Sequence, residues 1–405
     1  MARSIVVIGG GPAAVFAALE AKKCDAGAEV VLLTEEGSEP YEKPPLSKAV
    51  LTGKAKPEDA PIAGPGGLAK HGVTVKFNTR CTAIDRAARE AVTAAGRLRY
   101  DALVIATGSL MRELPLLPMG KERVHYLRTE QHARALKADL ANCRQLVVAG
   151  AGLIGLEVAA SAAELGIEVT VLEVAPRIMA RVADEDTSGL ILAQHEHHGV
   201  EIELGTTITQ VTPQLDGHLA LETAAGDIYV AEQVVVGTGV TPDATLAVAA
   251  GLNVQDGIVV DAQCRTSDPN IFAAGDCTRF PGPQGLVRLE NWRHAQDHGA
   301  IAGRNAAGAS DAYTAVPSYW SEQYDLYIQG VGWPDPNAQR IRRPLSDKSA
   351  LLLEVRDGAI CYALGINAQR DLAAVRRLIE RKIPVDPAAL ADPAQPFNAM
   401  LKAKA

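Results

Sequence analysis

The run Gln145-Leu-Val-Val-Ala-Gly-Ala-Gly-Leu-Ile-Gly-Leu-Glu157 decides the fold. An apolar, β-branched stretch, Gln145–Ala149, stops at glycines between Gly150 and Gly155. A helical stretch, Leu156–Leu165, and a second apolar run, Ile167–Leu172, follow. Strand, glycine turn, helix and strand make a βαβ unit. The N-terminus repeats that order: Ser4–Gly9 reads as a strand, the Ala-rich stretch Pro12–Lys23 as a helix, and Glu29–Leu33 as the second strand. Two copies about 140 residues apart form a repeat at the scale of a domain, too long for a solenoid.

The glycines say what the units hold. In Gly9-x-Gly11-x-x-Ala14 and Gly150-x-Gly152-x-x-Gly155, the first glycine permits a tight turn and the second lets backbone approach a pyrophosphate. The small third residue lets helix and strand pack closely. A helix N-terminus favours the anion, because its free N–H groups and its dipole both point there. Pro12 and Ala13, and Leu153 and Ile154, belong to the same two turns. Glu35 and Glu173 close the second strands, where a carboxylate bonds ribose hydroxyls and repels a 2′-phosphate. This favours NADH over NADPH at the second turn. The alternative is that Glu173 is a solvated strand-end charge, and Arg177 and Arg181 nearby could weaken the discrimination.

Two such sites predict two dinucleotides, one held and one exchanged. Leu103–Ser109, containing Ala106-Thr107-Gly108, is an apolar strand ending in a turn, and Val234–Val240, containing Gly239, repeats it. A third such segment, Asn270–Asp276, ends in Gly275-Asp276, a turn suited to a tightly held flavin nucleotide. The expected fold is α/β, with two Rossmann-like dinucleotide-binding domains and a C-terminal α+β domain. The expected boundaries are 1–112 with 245–315 for FAD, 113–244 for NADH and 316–405 for the rest. The last part reads as strands at Ala350–Arg356 and Ala359–Gly365, a helix at Gln369–Arg381, and an irregular surface stretch at Pro384–Pro396.

Composition narrows the class. The 405 residues are 47% hydrophobic and 22% charged, which is ordinary for a globular chain with a large core. A net charge of −8 argues against nucleic acid and anionic membrane surfaces as partners. No apolar run reaches the length of a membrane span, and the apolar run after Arg3 ends at Gly9 as a strand does, so a cytoplasmic location is expected. Cys24, Cys81, Cys143, Cys264, Cys277 and Cys361 form no C-x-x-C pair and no metal-ligand cluster. His294 and His298 have helical ligand spacing but no third ligand nearby, so no metal is expected. His195, His197 and His198 read as a solvated helix end.

The chain resembles the flavin-dependent NADH:ferredoxin and rubredoxin reductases that serve bacterial oxygenases. That group includes putidaredoxin reductase and the biphenyl dioxygenase ferredoxin reductase, on a framework shared with apoptosis-inducing factor. Tyr41-Glu-Lys-Pro-Pro-Leu-Ser-Lys48 carries the resemblance most specifically. Ala106-Thr-Gly108, Leu127-Arg-Thr129, Gly150–Glu157, Phe272–Cys277, Arg288–Trp292 and Trp320–Tyr324 add to it. The resemblance implies tightly held FAD contacted by Glu35, Lys43, Arg128, Asp276, Glu290, Asn291 and Trp292, with Cys81 and Ala13 beside the adenine half. It implies Lys48 at the flavin N5 edge with Glu157 as partner, and Trp320 packed near the ring. The Lys48–Glu157 pair could also be an ordinary ion pair. Lys43 stands where the family often has Arg, and Ala14 replaces a third glycine.

Related disulfide reductases and peroxidases need a thiol beside the flavin, and the matching stretch Glu42–Lys48 has none. Electrons are therefore expected to leave from the flavin itself. The expected activity is NADH-dependent reduction of a small acidic iron–sulfur ferredoxin that feeds a Rieske oxygenase or a haem-thiolate monooxygenase. The enzyme would be a monomer or weak dimer. A rubredoxin reductase or diaphorase, and a redox-responsive interaction protein like apoptosis-inducing factor, remain alternatives. Arg340, Arg342 and Arg343, with Arg293 and Lys43, suggest a positive docking face, with a merely solvated loop as the alternative for the Arg340–Arg343 run.

Overall fold

A computed structural model describes residues 2–346 and 348–402. The chain divides into two compact units: residues 1–42, 56–110 and 240–315 form the first, and 43–55, 111–239 and 316–405 the second.

The first unit is built on a five-stranded sheet, in the order Ile271–Ala273, Ala102–Ile105, Ser4–Ile8, Glu29–Leu33, Thr74–Lys76. All four pairings are parallel. Ile5, Val7, Leu32, Leu103 and Val104 are fully buried, as expected for a sheet covered on both faces. Helix Pro12–Cys24 crosses helix Trp292–Ala306 at backbone contact. A Cβ on Gly299 would lie 2.2 Å from Ala13 O, and one on Gly303 would lie 2.1 Å from Ala17 O. Glycine is therefore required at both positions for the two helices to approach this closely.

The second unit repeats the design. Its five parallel strands run Glu201–Leu204, Glu168–Glu173, Gln145–Ala149, Gln233–Val236, Val124–Tyr126. In both sheets the strand before the glycine turn lies between the strand that follows its helix and one that arrives from far along the chain. That is the switch point at which an open α/β sheet offers a crevice. The helix after the second turn begins at Leu153, three residues earlier than the turn-based reading, because Gly155 is small enough to be helical beneath Gly150.

The C-terminal segment of this unit is an antiparallel sheet ordered Ser318–Gln323, Leu326–Gly332, Ala359–Ile366, Ser349–Arg356, Gln339–Ser346. Helix Gln369–Glu380 packs on it around Leu353, Ala363, Val375 and Leu378. The stretch Pro384–Pro396, expected to be irregular and superficial, instead contains helix Pro387–Ala391, and Leu390 and Phe397 are buried in this core. Arg343 explains the difference. It is buried, donates to Leu390 O at 3.3 Å, Pro393 O at 3.2 Å and Gln395 O at 2.7 Å, and lies 4.2 Å from the Phe397 ring centroid. Among the described residues no helix is long and apolar enough to cross a membrane.

Candidate functional site

In each glycine turn, the first and second glycines answer to different neighbours. Gly9 has φ +132°, and a Cβ on it would lie 2.1 Å from Ala106 O. Gly150 has φ +110°, and its Cβ would lie 2.8 Å from Gly237 O. A Cβ on Gly155 would lie 2.1 Å from Gly150 O. The protein's own packing therefore requires these glycines. Gly11 and Gly152 differ. Their backbones are extended (φ −93°, ψ −177° and φ −80°, ψ −178°), values open to any residue. A Cβ on Gly11 would meet nothing within 4 Å, and one on Gly152 would meet Gly237 O alone, at 3.9 Å.

The space above each middle glycine is open, and the two helices that start there carry no side-chain cap at Gly11 or Gly152. Helix N-termini need acceptors for their first N–H groups. A pyrophosphate supplies both the acceptors and the negative charge. The residues fit a dinucleotide at each turn.

Further side chains gather around each turn. In the first unit, Thr107 Oγ1 donates to Asp243 O at 2.6 Å, fixing the Ala106–Gly108 bend. Asp276 accepts from Ser109 at 3.2 Å, and Gly275 N donates to the buried His298 Nδ1 at 3.2 Å. Glu35 is largely exposed, with Arg80 Nε 3.5 Å away. Glu290 pairs with Arg288 at 2.9 Å. Asn291 caps its helix by accepting from His294 N at 2.8 Å, and Trp292 packs edge-on against Phe16. The Cys81 thiol is buried and turned to Ala83 O.

In the second unit, Glu173 accepts from Ala151 N at 2.6 Å and Ala175 N at 2.8 Å, so the acid lies over its own glycine turn. Arg177 is taken up by Ala180 O, Ala183 O and Ser188. Arg181 NH2 lies 3.6 Å from where a Cβ on Gly239 would be. Lys43 Nζ donates to Arg128 O at 3.3 Å.

Lys48 Nζ and Glu157 Oε2 are 3.1 Å apart. Pro44–Ser47 forms a single 3-10 turn that delivers Lys48, and Ser161 Oγ donates to Ser47 O at 2.7 Å, clamping that turn to helix Leu153–Glu164. Glu157 is buried and also accepts from Ser47 Oγ at 2.5 Å and Ser321 Oγ at 2.7 Å. Trp320 neighbours Ser321 on strand Ser318–Gln323 and faces the other way.

Residues 3–299 match the family described as Pyridine nucleotide-disulphide oxidoreductase, and residues 318–401 match Reductase C-terminal. The chain belongs to the pyridine nucleotide-disulphide oxidoreductase family. Rhodocoxin reductase of Rhodococcus erythropolis is 37% identical over 96% of this chain and 92% of its own. The anthranilate 1,2-dioxygenase system ferredoxin–NAD(+) reductase component of Burkholderia cepacia is 37% identical over 96% and 97%. Among solved structures, the covalent putidaredoxin reductase–putidaredoxin complex aligns with a TM-score of 0.93 at 31% identity, covering 99% of this chain and 98% of that one.

This member of the disulphide oxidoreductase family has no disulphide chemistry on show among the described residues. All six cysteines are free thiols. Burial pushes Cys143 and Cys277 up to about 11, drives Cys264 well above the ordinary thiol range, and raises Cys81 and Cys361. A thiol held protonated is a poor nucleophile and a poor relay.

Two readings need correction. Arg340, Arg342 and Arg343 do not form an open positive face. Arg340 pairs with the buried Glu354, Arg342 bridges Asp184 at 3.0 Å and Asp186 at 2.6 Å, and Arg343 is buried. His195 is not at a solvated end; it is fully buried and bonds Gln323 at 2.9 Å. His294 and His298 are stacked rings 4.7 Å apart that hold structure, through Tyr313 OH at 2.9 Å and Gly275 N respectively. Sequence reasoning missed Ser47, Ser109, Ser321 and His298 as site supports. Strand alternation places Ser321 and Gln323 on one face, which was the available signal.

Proposed function

We propose that this chain is an NADH-dependent flavoprotein reductase that passes electrons to a small iron–sulfur ferredoxin. The carrying observation is the pair of open middle glycines, Gly11 and Gly152, each above an uncapped helix start, in a chain whose buried thiols are held protonated. The first unit would hold FAD through Gly11, Glu35 and Asp276. The second would take NADH through Gly152, Glu173 and the Arg181–Gly239 corner, with 316–405 as a separate α+β domain. Bound FAD supplies the conversion of a two-electron donor into single-electron transfers. Lys48 lends positive charge to electron gain, Glu157 holds Lys48, Trp320 shields the reacting edge, and Glu173 excludes a 2′-phosphate.

Several relatives are named as ferredoxin–NAD(+) reductase components and match over almost this whole chain. Rubredoxin-NAD(+) reductase of Ectopseudomonas oleovorans is 35% identical over 81% of it, which keeps rubredoxin as the second acceptor. The deciding assay is NADH-driven cytochrome c reduction with and without added ferredoxin or rubredoxin. Stimulation by ferredoxin is expected. A protein that cannot be loaded with FAD, or that ferredoxin does not stimulate, would refute the proposal.

A further inference from the structure

The second unit contains a line of buried polar side chains that ends on Glu157. His195, Gln323, Ser321 and Glu157 are all almost fully buried, which is unfavourable unless each is hydrogen-bonded. His195 Nε2 meets Gln323 Oε1 at 2.9 Å. Gln323 Nε2 donates to Ser321 Oγ at 3.1 Å, and Ser321 Oγ donates to Glu157 Oε1 at 2.7 Å. The other oxygen, Oε2, takes Ser47 Oγ and Lys48 Nζ.

The direction of the line is forced. A carboxylate is an acceptor only, so Ser321 must give its hydrogen to Glu157. The Ser321 lone pair then accepts from the Gln323 amide, which turns Gln323 Oε1 towards His195. His195 must therefore carry its hydrogen on Nε2, and Tyr324 OH lies 3.4 Å from Nδ1. Every donor points towards one carboxylate oxygen. Four segments meet in this line: the Pro44–Ser47 turn, helix Leu153–Glu164, helix Glu185–His197 and strand Ser318–Gln323.

The consequence falls on Lys48. With Oε1 occupied by Ser321, Lys48 engages Oε2 alone, and two of its three ammonium hydrogens have no protein partner among the described residues. We propose that Ser321, held in turn by Gln323 and His195, engages one oxygen of Glu157, the three acting as positioning residues, so that Lys48 is anchored by the other oxygen and keeps its remaining donors for the bound cofactor. The proposal rests on the reading of Lys48 given above. If Ser321 loses its hydroxyl, Oε1 loses its hydrogen-bond donor and draws the flexible ammonium deeper onto the carboxylate.

The test is trace acetylation of Lys48 in the FAD-loaded protein without NADH, read by peptide mass spectrometry, alongside stopped-flow reduction of the flavin by NADH. Lys48 acetylation should slow about fivefold in Ser321→Ala and about threefold in Gln323→Leu, the scale of one hydrogen bond to a charged group shared along a network. Ser321→Thr, which keeps the hydroxyl, should stay near wild type. In a Glu157→Gln background neither Ser321→Ala nor Gln323→Leu should add anything. Flavin reduction at saturating NADH should slow in parallel, with the NADH dissociation constant unchanged. Wild-type acetylation in both variants, each melting as a folded protein, overturns the proposal, as does an equal slowing in the Glu157→Gln background. Slowed acetylation with normal flavin reduction sustains the positioning line and refutes the role given to Lys48.

Discussion

Replacing Gly11 with Ala separates binding from folding. The substitution adds one methyl group at an extended backbone position where nothing lies within 4 Å, so the apoprotein gains no clash. Its cost to folding is that of Ala against Gly at a helix N-cap, about 0.5–1 kcal/mol. For the bound state the same methyl occupies the space a pyrophosphate needs. Overpacking by one carbon costs about 1–3 kcal/mol, or roughly 5- to 150-fold in affinity. Gly9→Ala is the control: its Cβ would overlap Ala106 O at 2.1 Å, at φ +132°, and the unit should fail to fold. The assay is FAD titration of apoprotein by fluorescence quenching, with thermal melting of the apo form. Gly11→Ala binding FAD as tightly as wild type would refute the inference that this space belongs to the ligand. A collapsed apoprotein would show that Gly11 serves the fold instead.

Four more outcomes follow from particular contacts. Glu173→Ala should narrow the preference for NADH over NADPH by about tenfold to hundredfold in kcat/KM, because Arg177 is already engaged and cannot compensate; equal wild-type rates with both nucleotides would contradict this. Arg343→Glu should destabilise the C-terminal core by about 3–5 kcal/mol, seen in the melting midpoint, since it places an acid among three carbonyls, whereas the exposed Arg342→Glu should shift it far less. Alkylating native enzyme should leave NADH-to-dye activity intact, as five of the six thiols are held protonated by burial; strong inactivation with FAD retained would restore a thiol mechanism. Burial lowers His298 to about 3 and His294 well below its ordinary value, so the unfolded chain takes up their protons first. That stability is present above about pH 6.5 and lost as pH falls towards 3, and a melting temperature flat from pH 7 to pH 4 would contradict it.

The βαβ repeat and its glycines were legible because turn chemistry and alternation are local. A tight turn needs glycine whatever surrounds it, and Gly9, Gly150 and Gly155 show the clashes that follow otherwise. Lys48 and Glu157 are 109 positions apart, and no periodicity links them; only resemblance named the pair. Burial was the property the sequence concealed. His195-Glu-His197-His198 looks polar and solvated, yet His195 is fully buried because Gln323, 128 residues on, comes to meet it. The Arg340–Arg343 run looks like a charged surface, but strand alternation turns Arg343 inward to hold a stretch that itself looked irregular. By itself the sequence determined the two nucleotide folds, the placing of acids at their strand ends, and the lack of a thiol pair, since each rests on residue type and short spacing. Tertiary structure decided which charges are neutralised, which histidines are buried, and how Ser321, Gln323 and His195 converge on Glu157, since those depend on segments that meet only once the chain has folded.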